Sequence, residues 1–228
     1  MNNVQREFSR NAKHYNQYNQ IQGEVVKDLL AEIKDSPKRI LDIGAGRGEV
    51  FSQITWPLQH FTALDFSSRM CELHPKNDYV EIVAGDFNNT ATFEILRKKP
   101  YDRIVSASAL QWADDLEVVF REIAAFKTPV ALALFTSKTF ACLHERLGVE
   151  SPLHTLETIE SAANSNFTCE TFVKKYRLHF DSTRLMLEYI KKSGVSSGSK
   201  KMGVTHLREL IRENRLHSIE AEVIFITT

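Results

Sequence analysis

The segment Ile40-Leu41-Asp42-Ile43-Gly44-Ala45-Gly46-Arg47-Gly48 constrains this chain more than any other. An apolar run ends around an acid, a glycine-rich turn follows at once, and Val50, Phe51 and Ile54 then recur at helical spacing. That order predicts a buried strand, a tight turn and a helix start. Glycine adopts positive φ without strain and lets a ligand approach the backbone closely. The turn is therefore a candidate nucleoside-cofactor site. The glycines alone leave open a dinucleotide, another nucleoside ligand, or none.

The unit repeats along the chain. Strands are expected at Arg39–Ile43, 61–65, 79–83, 102–106 and Val130–Phe135, with helices over 49–54, 67–73, 92–98 and 116–126 between them. Such alternation predicts a parallel, doubly wound α/β sheet. Upstream, Ile21, Val25, Leu29, Leu30 and Ile33 mark an amphipathic helix that Pro37 ends. Residues 1–18 are polar and aromatic, a short helix or ordered arm. Residues 138–167 read as polar helix, with His144, Arg146 and Glu150, and form an insertion or cap. Residues 172–180 alternate like a strand. Asp181 or Ser182 can cap a helix running to Lys192, where Lys191 and Lys192 suit the dipole and Gly194 the stop. A Ser/Gly/Lys-rich loop over 193–203, a helix from Thr205 through Arg212 and a strand over 219–226 complete the chain. The expected organisation is a single domain over 1–228: an arm (1–36), a core (38–136), a helical cap (137–168) and C-terminal strands and helices (169–228).

Composition excludes several classes. At 228 residues there is length for one sizeable core or a domain with a cap. Lys and Arg together number 29, as do Asp and Glu, so the zero net charge argues against a nucleic-acid partner. Cys71, Cys142 and Cys169 lie far apart with no CxxC spacing, which argues against a zinc site or disulfide framework and suits reducing cytosol. The polar start of the chain lacks a signal peptide's apolar region, and no apolar run approaches the ~20 residues of a membrane span. A cytoplasmic protein with no membrane partner is expected.

Downstream residues sharpen the cofactor. Asp65 closes the second strand, where an acid can accept from both hydroxyls of a ribose; the alternative is an N-cap for the next helix. Met70 either lies against an adenine or fills the core. Gly85-Asp86-Phe87 closes the third strand: the acid can accept from an adenine amino group and the Phe87 N–H can reach a ring nitrogen. The alternative is an Asx turn between Asp86 and Asn88. Ser106 ends the fourth strand, and the segment from Ala107 to Trp112 follows at the expected switch point, where a cofactor's reactive end should sit; Trp112 either walls the pocket or packs under the following helix.

Together the LDIGAGRGE, ALDFS, GDF and YDRIVSASALQW segments, in that order across residues ~38–135, resemble class I S-adenosylmethionine-dependent methyltransferases. The resemblance implies a Rossmann-like fold: a seven-stranded, mostly parallel sheet, helices on both faces and a small helical cap after strand five. It also implies S-adenosyl-L-methionine as cofactor. Asp42 and the backbone of Gly44, Ala45, Gly46 and Gly48 would lie near its methionine, Asp65 on the ribose, and Asp86 with Phe87 at the adenine; Phe66, Met70, Ser106 and Ala107 are further cofactor-binding candidates. Lys127-Thr128-Pro129 departs from the Pro-Gly-Gly-like turn usual there.

Phe8-Ser9-Arg10, His14-Tyr15 and Gln22 are similar to the N-terminal arm of the malonyl-acyl-carrier-protein O-methyltransferases of biotin synthesis. Ala109-Leu110-Gln111-Trp112-Ala113-Asp114-Asp115-Leu116, Phe135-Thr136-Ser137, Phe180-Asp181 and Lys192-Ser193-Gly194 are similar to the same family. Val195-Ser196-Ser197 replaces its Gly-Ala-Thr-like turn. The implied substrate is the free carboxyl of malonyl-acyl carrier protein. A carboxylate is already ionised at neutral pH, so no strong base is required. Tyr15, Gln111 and Trp112 are the catalytic candidates: Tyr15 as a lid over the cofactor or a packed aromatic, Gln111 as an orienter of the acceptor or a helix-start polar residue. Arg10 either holds an anion or forms a surface ion pair. Lys191, Lys192, Lys200, Lys201, Arg208 and Arg212 form either a docking face for the acidic carrier or a solvated surface. Three other readings remain: a methyltransferase for a small carboxylic acid or quinone precursor, a non-catalytic S-adenosylmethionine-binding protein, and a dehydrogenase, which Gly85-Asp86-Phe87 disfavours. No Asn-Pro-Pro-Tyr-like segment follows strand four, against nucleic-acid methylation.

Overall fold

The computed structural model describes residues 19–193 and 204–228. Five strands, β1 (Arg39–Ile43), β2 (His60–Asp65), β3 (Val80–Ala84), β4 (Arg103–Ala107) and β5 (Val130–Phe135), run parallel. The long strands β6 (Glu170–His179) and β7 (Ser218–Thr227) join them, with β7 antiparallel to both β5 and β6. The seven-stranded sheet has the order β3-β2-β1-β4-β5-β7-β6. The expected mostly parallel sheet is therefore present, and its strand order reverses direction between β1 and β4. In open α/β sheets the ligand crevice lies at the strands' carboxyl ends at that point.

Helices cover both faces. They are α1 (Gln20–Ala31), α2 (Glu49–Gln53), α3 (Ser68–Leu73), α4 (Thr90–Leu96), α5 (Leu116–Ala124), α6 (Ala141–Leu147), α7 (Leu156–Asn166), α8 (Thr183–Ser193) and α9 (Val204–Glu213). Successive strand side chains point to opposite faces. Ile40, Phe61 and Ala63 accordingly belong to one buried cluster with Val25 and Leu29 of α1, Phe61 meeting the Phe51 ring edge-on at 5.1 Å. Leu41 and Ile43 pack on the other side with Phe93 of α4 and with Phe120 and Ile123 of α5. Burying each large apolar side chain contributes roughly 1.5–3 kcal/mol.

Several boundaries differ from expectation because side-chain caps set them. Asn89 accepts from the Ala91 N–H at 3.1 Å, so α4 starts at Thr90, ahead of the expected 92. Of the two candidate caps for α8, Ser182 is the one that accepts, from the Leu185 N–H at 3.3 Å. Helix α9 begins at Val204, which places Thr205 inside it. The segment expected as one polar cap over 137–168 is two helices. The second, α7, buries Ile159, Ala162 and Ala163 against α5, extending the layer on that sheet face. Among the described residues no helix is long and apolar enough to cross a membrane.

Candidate cofactor site

The same alternation that builds the sheet aims two acids at one place. Asp42 shares the Ile40 face of β1, and Asp65 shares the Phe61 and Ala63 face of β2, so both lie on the side covered by α1. The turn after β1 is held by its own backbone. The Gly44 and Ala45 N–H groups donate to the Leu64 carbonyl at 2.8 and 2.9 Å, and the Gly48 N–H donates to the Ala45 carbonyl at 2.9 Å. Gly44 sits at φ +76°, and a Cβ there would lie 2.2 Å from the Ala109 Cβ. Gly48, at φ +89°, would meet Pro75 Cδ at 2.7 Å. Both positions need glycine for conformation and for space.

Asp65 ties this turn to β2. Its Oδ2 accepts from the Gly46 N–H at 2.9 Å and its Oδ1 from the Ser67 N–H at 2.8 Å. Burial raises its pKa above the usual carboxylate value, and those two backbone bonds hold the rise back. The N-cap alternative falls to its neighbour: Ser67 Oγ accepts from the Met70 N–H at 3.4 Å. Two of the roughly four lone-pair sites on the Asp65 carboxylate are thus engaged, leaving two for a ligand.

Asp42 is different. It is fully buried, and among the described residues neither carboxylate oxygen has a hydrogen-bond partner. Burial pushes its pKa well above the usual range, and the Asp65 charge adds to the shift. A buried carboxylate without donors is costly, so an arrangement that keeps one calls for a donor from outside.

A cavity with about 840 Å³ of empty space, counted to its open mouth, lies against both acids. Of the expected residues, Asp42, Gly44, Ala45, Gly46, Asp65, Phe66, Met70, Phe87, Ala107 and Trp112 all line it. Met70 is a wall of the cavity and is 2% exposed.

Four expected residues are not on the walls, each for a visible reason. Gly48 is turned against His74 and Pro75. Ser106 is fully buried, and its Oγ donates to the Ile43 carbonyl at 2.7 Å, pinning β4 to β1. Asp86 forms the Asx turn, its Oδ1 accepting from the Asn88 N–H at 2.9 Å. Gln111 is buried, and its Nε2 donates to the Ser108 carbonyl at 2.7 Å, bracing the turn after β4. Tyr15, Arg10, Lys200 and Lys201 lie outside the described residues, as does the side chain of Lys192.

The expectation missed the contribution of α1. Asn19, Gln22 and Val26 line the cavity, spaced three and four apart on one helical face. The signal was present: Asn19 and Gln22 are polar residues on an otherwise apolar stripe. Asn19 is 7% exposed, and its Oδ1 has no partner among the described residues. Arg47, Glu49 and Val50 join from the turn and α2. Ser108 and Ala109 join from the segment after β4. Ser108 stands at φ +60°, its hydroxyl buried and without a partner among the described residues. Nothing in the sequence announces that backbone conformation.

Residues 41–131 match the methyltransferase domain family. The chain is an S-adenosylmethionine-dependent methyltransferase. Two relatives, both named malonyl-[acyl-carrier protein] O-methyltransferase, align over most of it. The protein from Haemophilus ducreyi is 25% identical, covering 98% of this chain and 92% of its own. The protein from Acetivibrio thermocellus is 28% identical, covering 92% and 84%. Among solved structures, a putative methyltransferase from an antibiotic biosynthesis pathway of Anabaena variabilis superimposes with a TM-score of 0.63 at 18% identity, covering 90% of this methyltransferase and 96% of that chain. That likeness concerns the fold alone.

Proposed function

We propose that this methyltransferase moves a methyl group from S-adenosylmethionine to the free carboxyl of a malonyl group carried on acyl carrier protein. The observation that carries the cofactor half is the Asp42 carboxylate, buried on the wall of the cavity with no partner among the described residues. With the buried Oδ1 of Asn19 it offers three acceptors, which match the three N–H donors of an ammonium group such as that of the methionine moiety. Asp65 has lone pairs for the ribose hydroxyls. Phe66, Met70 and Phe87 provide apolar walls for a purine.

When bound, S-adenosylmethionine supplies an electrophilic methyl on a sulfonium. The protein's task is placement. The acceptor carboxylate is ionised at neutral pH, so no residue has to remove a proton. Trp112, Ala109 and Ser108 form the wall beyond β4, beside the expected place of the reacting groups. Ser106 and Gln111 act through that wall as positioning residues, one pinning the strand and the other bracing the turn. Holding donor and acceptor in line is worth several kcal/mol of the barrier, up to about 7–11 for well-oriented groups.

The acceptor half is supported by the two relatives that carry this name over nearly the whole chain. Methylation would cancel the malonyl charge, letting chain-elongation enzymes treat the ester as an apolar primer for a biotin precursor. The test is transfer from labelled S-adenosylmethionine to malonyl-, acetyl- and succinyl-loaded carrier protein. Base-labile label on the malonyl form and none on the acetyl form is expected. Cofactor binding without transfer to the malonyl form would exclude this acceptor and leave small carboxylic acids, quinone precursors or a non-catalytic role.

A further inference from the structure

The strand directions fix where α8 and α9 stand. β7 is antiparallel to β5, and β6 is antiparallel to β7, so β6 runs the same way as β5. Its last residue, His179, pairs with Ser218 at the start of β7. The connection between them therefore sits at the carboxyl end of the sheet, the end where the cofactor cavity lies. Tyr189 of α8 confirms the proximity: its hydroxyl accepts from the Ile21 N–H at 3.5 Å, between the wall residues Asn19 and Gln22.

The outer side of this roof is cationic. Leu210 of α9 is buried, which turns Arg208 and Arg212, two residues to either side, away from the core. Both are exposed, and Ile211 beside them is 40% exposed. The start of α8 is tied to the end of α9, since the Thr183 N–H donates to Asn214 Oδ1 at 3.0 Å and Thr183 Oγ1 to the Leu216 carbonyl at 2.9 Å. That brings the exposed Arg184 and Leu185 to the end of α9 carrying Arg212 and, just past the helix, the exposed Arg215. Among the described residues these four arginines make no salt bridge. Of the acids on α9, Glu213 pairs with Arg146 of α6 at 3.5 Å, and Glu209 is exposed.

We infer that Arg184, Arg208, Arg212 and Arg215, around the exposed Leu185 and Ile211, form the surface on which the acidic carrier protein docks to deliver its acyl arm. The inference rests on the acceptor proposed above. Arginine grips carboxylates through a fork of donors, and the exposed aliphatic side chains give a partner helix apolar contact. The position matters as much as the charge: a carrier seated there stands over the end of the sheet into which its arm must reach. Of the basic residues expected from the sequence, Arg208 and Arg212 belong to this surface, Lys191 is exposed on α8, and Arg184 and Arg215 are additions that the fold supplies.

The test compares the wild type with Arg208→Glu/Arg212→Glu, and with Lys76→Glu/Lys98→Glu as an equal charge change on exposed residues flanking the β3 edge. Binding of malonyl-loaded carrier protein and of S-adenosylmethionine is measured for all three, with methyl transfer alongside. The arginine variant is expected to bind the carrier at least tenfold more weakly, with unchanged cofactor affinity, while the lysine variant matches the wild type. Added salt should weaken wild-type docking and have little effect on what remains in the arginine variant. Unchanged carrier binding in the arginine variant, or equal loss in both variants, would overturn the docking surface and leave the acceptor assignment standing. Failure of the wild type to use the malonyl carrier at all would overturn both.

Discussion

Replacing Asp42 with asparagine separates what this residue does for the ligand from what it does to the fold. Asparagine keeps the shape and one of the two acceptor oxygens. If Asp42 faces an ammonium group, the variant loses one charge-assisted hydrogen bond, worth about 1.5–3 kcal/mol, or roughly ten- to 150-fold in Kd. The ligand-free protein should respond in the opposite direction. The folded pKa of Asp42 lies well above its ordinary value because burial, and then the Asp65 charge, disfavour ionisation. The native state therefore binds more protons at this site than the unfolded chain does. Its destabilising effect is absent below the unfolded pKa of about 3.9 and grows as pH rises from there towards the folded pKa. An asparagine side chain does not titrate and escapes this penalty. The melting temperature of Asp42→Asn, relative to the wild type, should improve as pH rises from about 4 into the neutral range. Calorimetric titration with S-adenosylmethionine and thermal melts across that window measure both effects. Unchanged cofactor affinity, or a variant less stable than the wild type at neutral pH, would refute the placement of a strained acid at the ligand.

Gly44→Ala should destabilise the fold by at least about 1–3 kcal/mol and abolish cofactor binding, since its Cβ meets the Ala109 Cβ at 2.2 Å in a left-handed backbone; melts and titration would show it. Asp65→Ala should lose more cofactor affinity than Asp86→Ala in a side-by-side titration, because Asp65 lines the cavity and Asp86 is committed to an Asx turn; the reverse order would return Asp86 to the adenine. Trp112→Ala should lower methyl transfer more than cofactor affinity, as single-turnover and binding measurements would separate. Ser106→Ala should cost about 0.5–1.5 kcal/mol of stability in a denaturant titration, the typical net worth of one buried hydrogen bond.

Much of this molecule was legible before any tertiary contact was known. The unbroken apolar run Val130–Phe135, entered from Pro129, is too short for a buried helix and suits a strand covered on both faces. The glycines after Ile43 serve a turn that a side chain would block. Those local rules settle strand, turn and helix because the physics acts between near neighbours. Asp65 was legible as a candidate from its place at the end of the second strand, and Asp42 through the resemblance that the glycine-turn segment carries. What stayed hidden depends on which distant groups meet. Asp86, Ser106 and Gln111 have the right chemistry in the right segments, yet Asn88, the Ile43 carbonyl and the Ser108 carbonyl take up their polar atoms first. Asn19 and Gln22 entered the site only because α1 packs across β4 and β5, a long-range contact that a helical repeat does not encode. The gathering of Arg184 with Arg212 and Arg215 likewise requires Thr183 to bond with Asn214 and Leu216 across more than thirty residues of chain. Sequence alone determined the elements and singled out two acids that line the cavity; only the tertiary structure decided which polar groups there are left without partners among the described residues, because that depends on which distant groups meet.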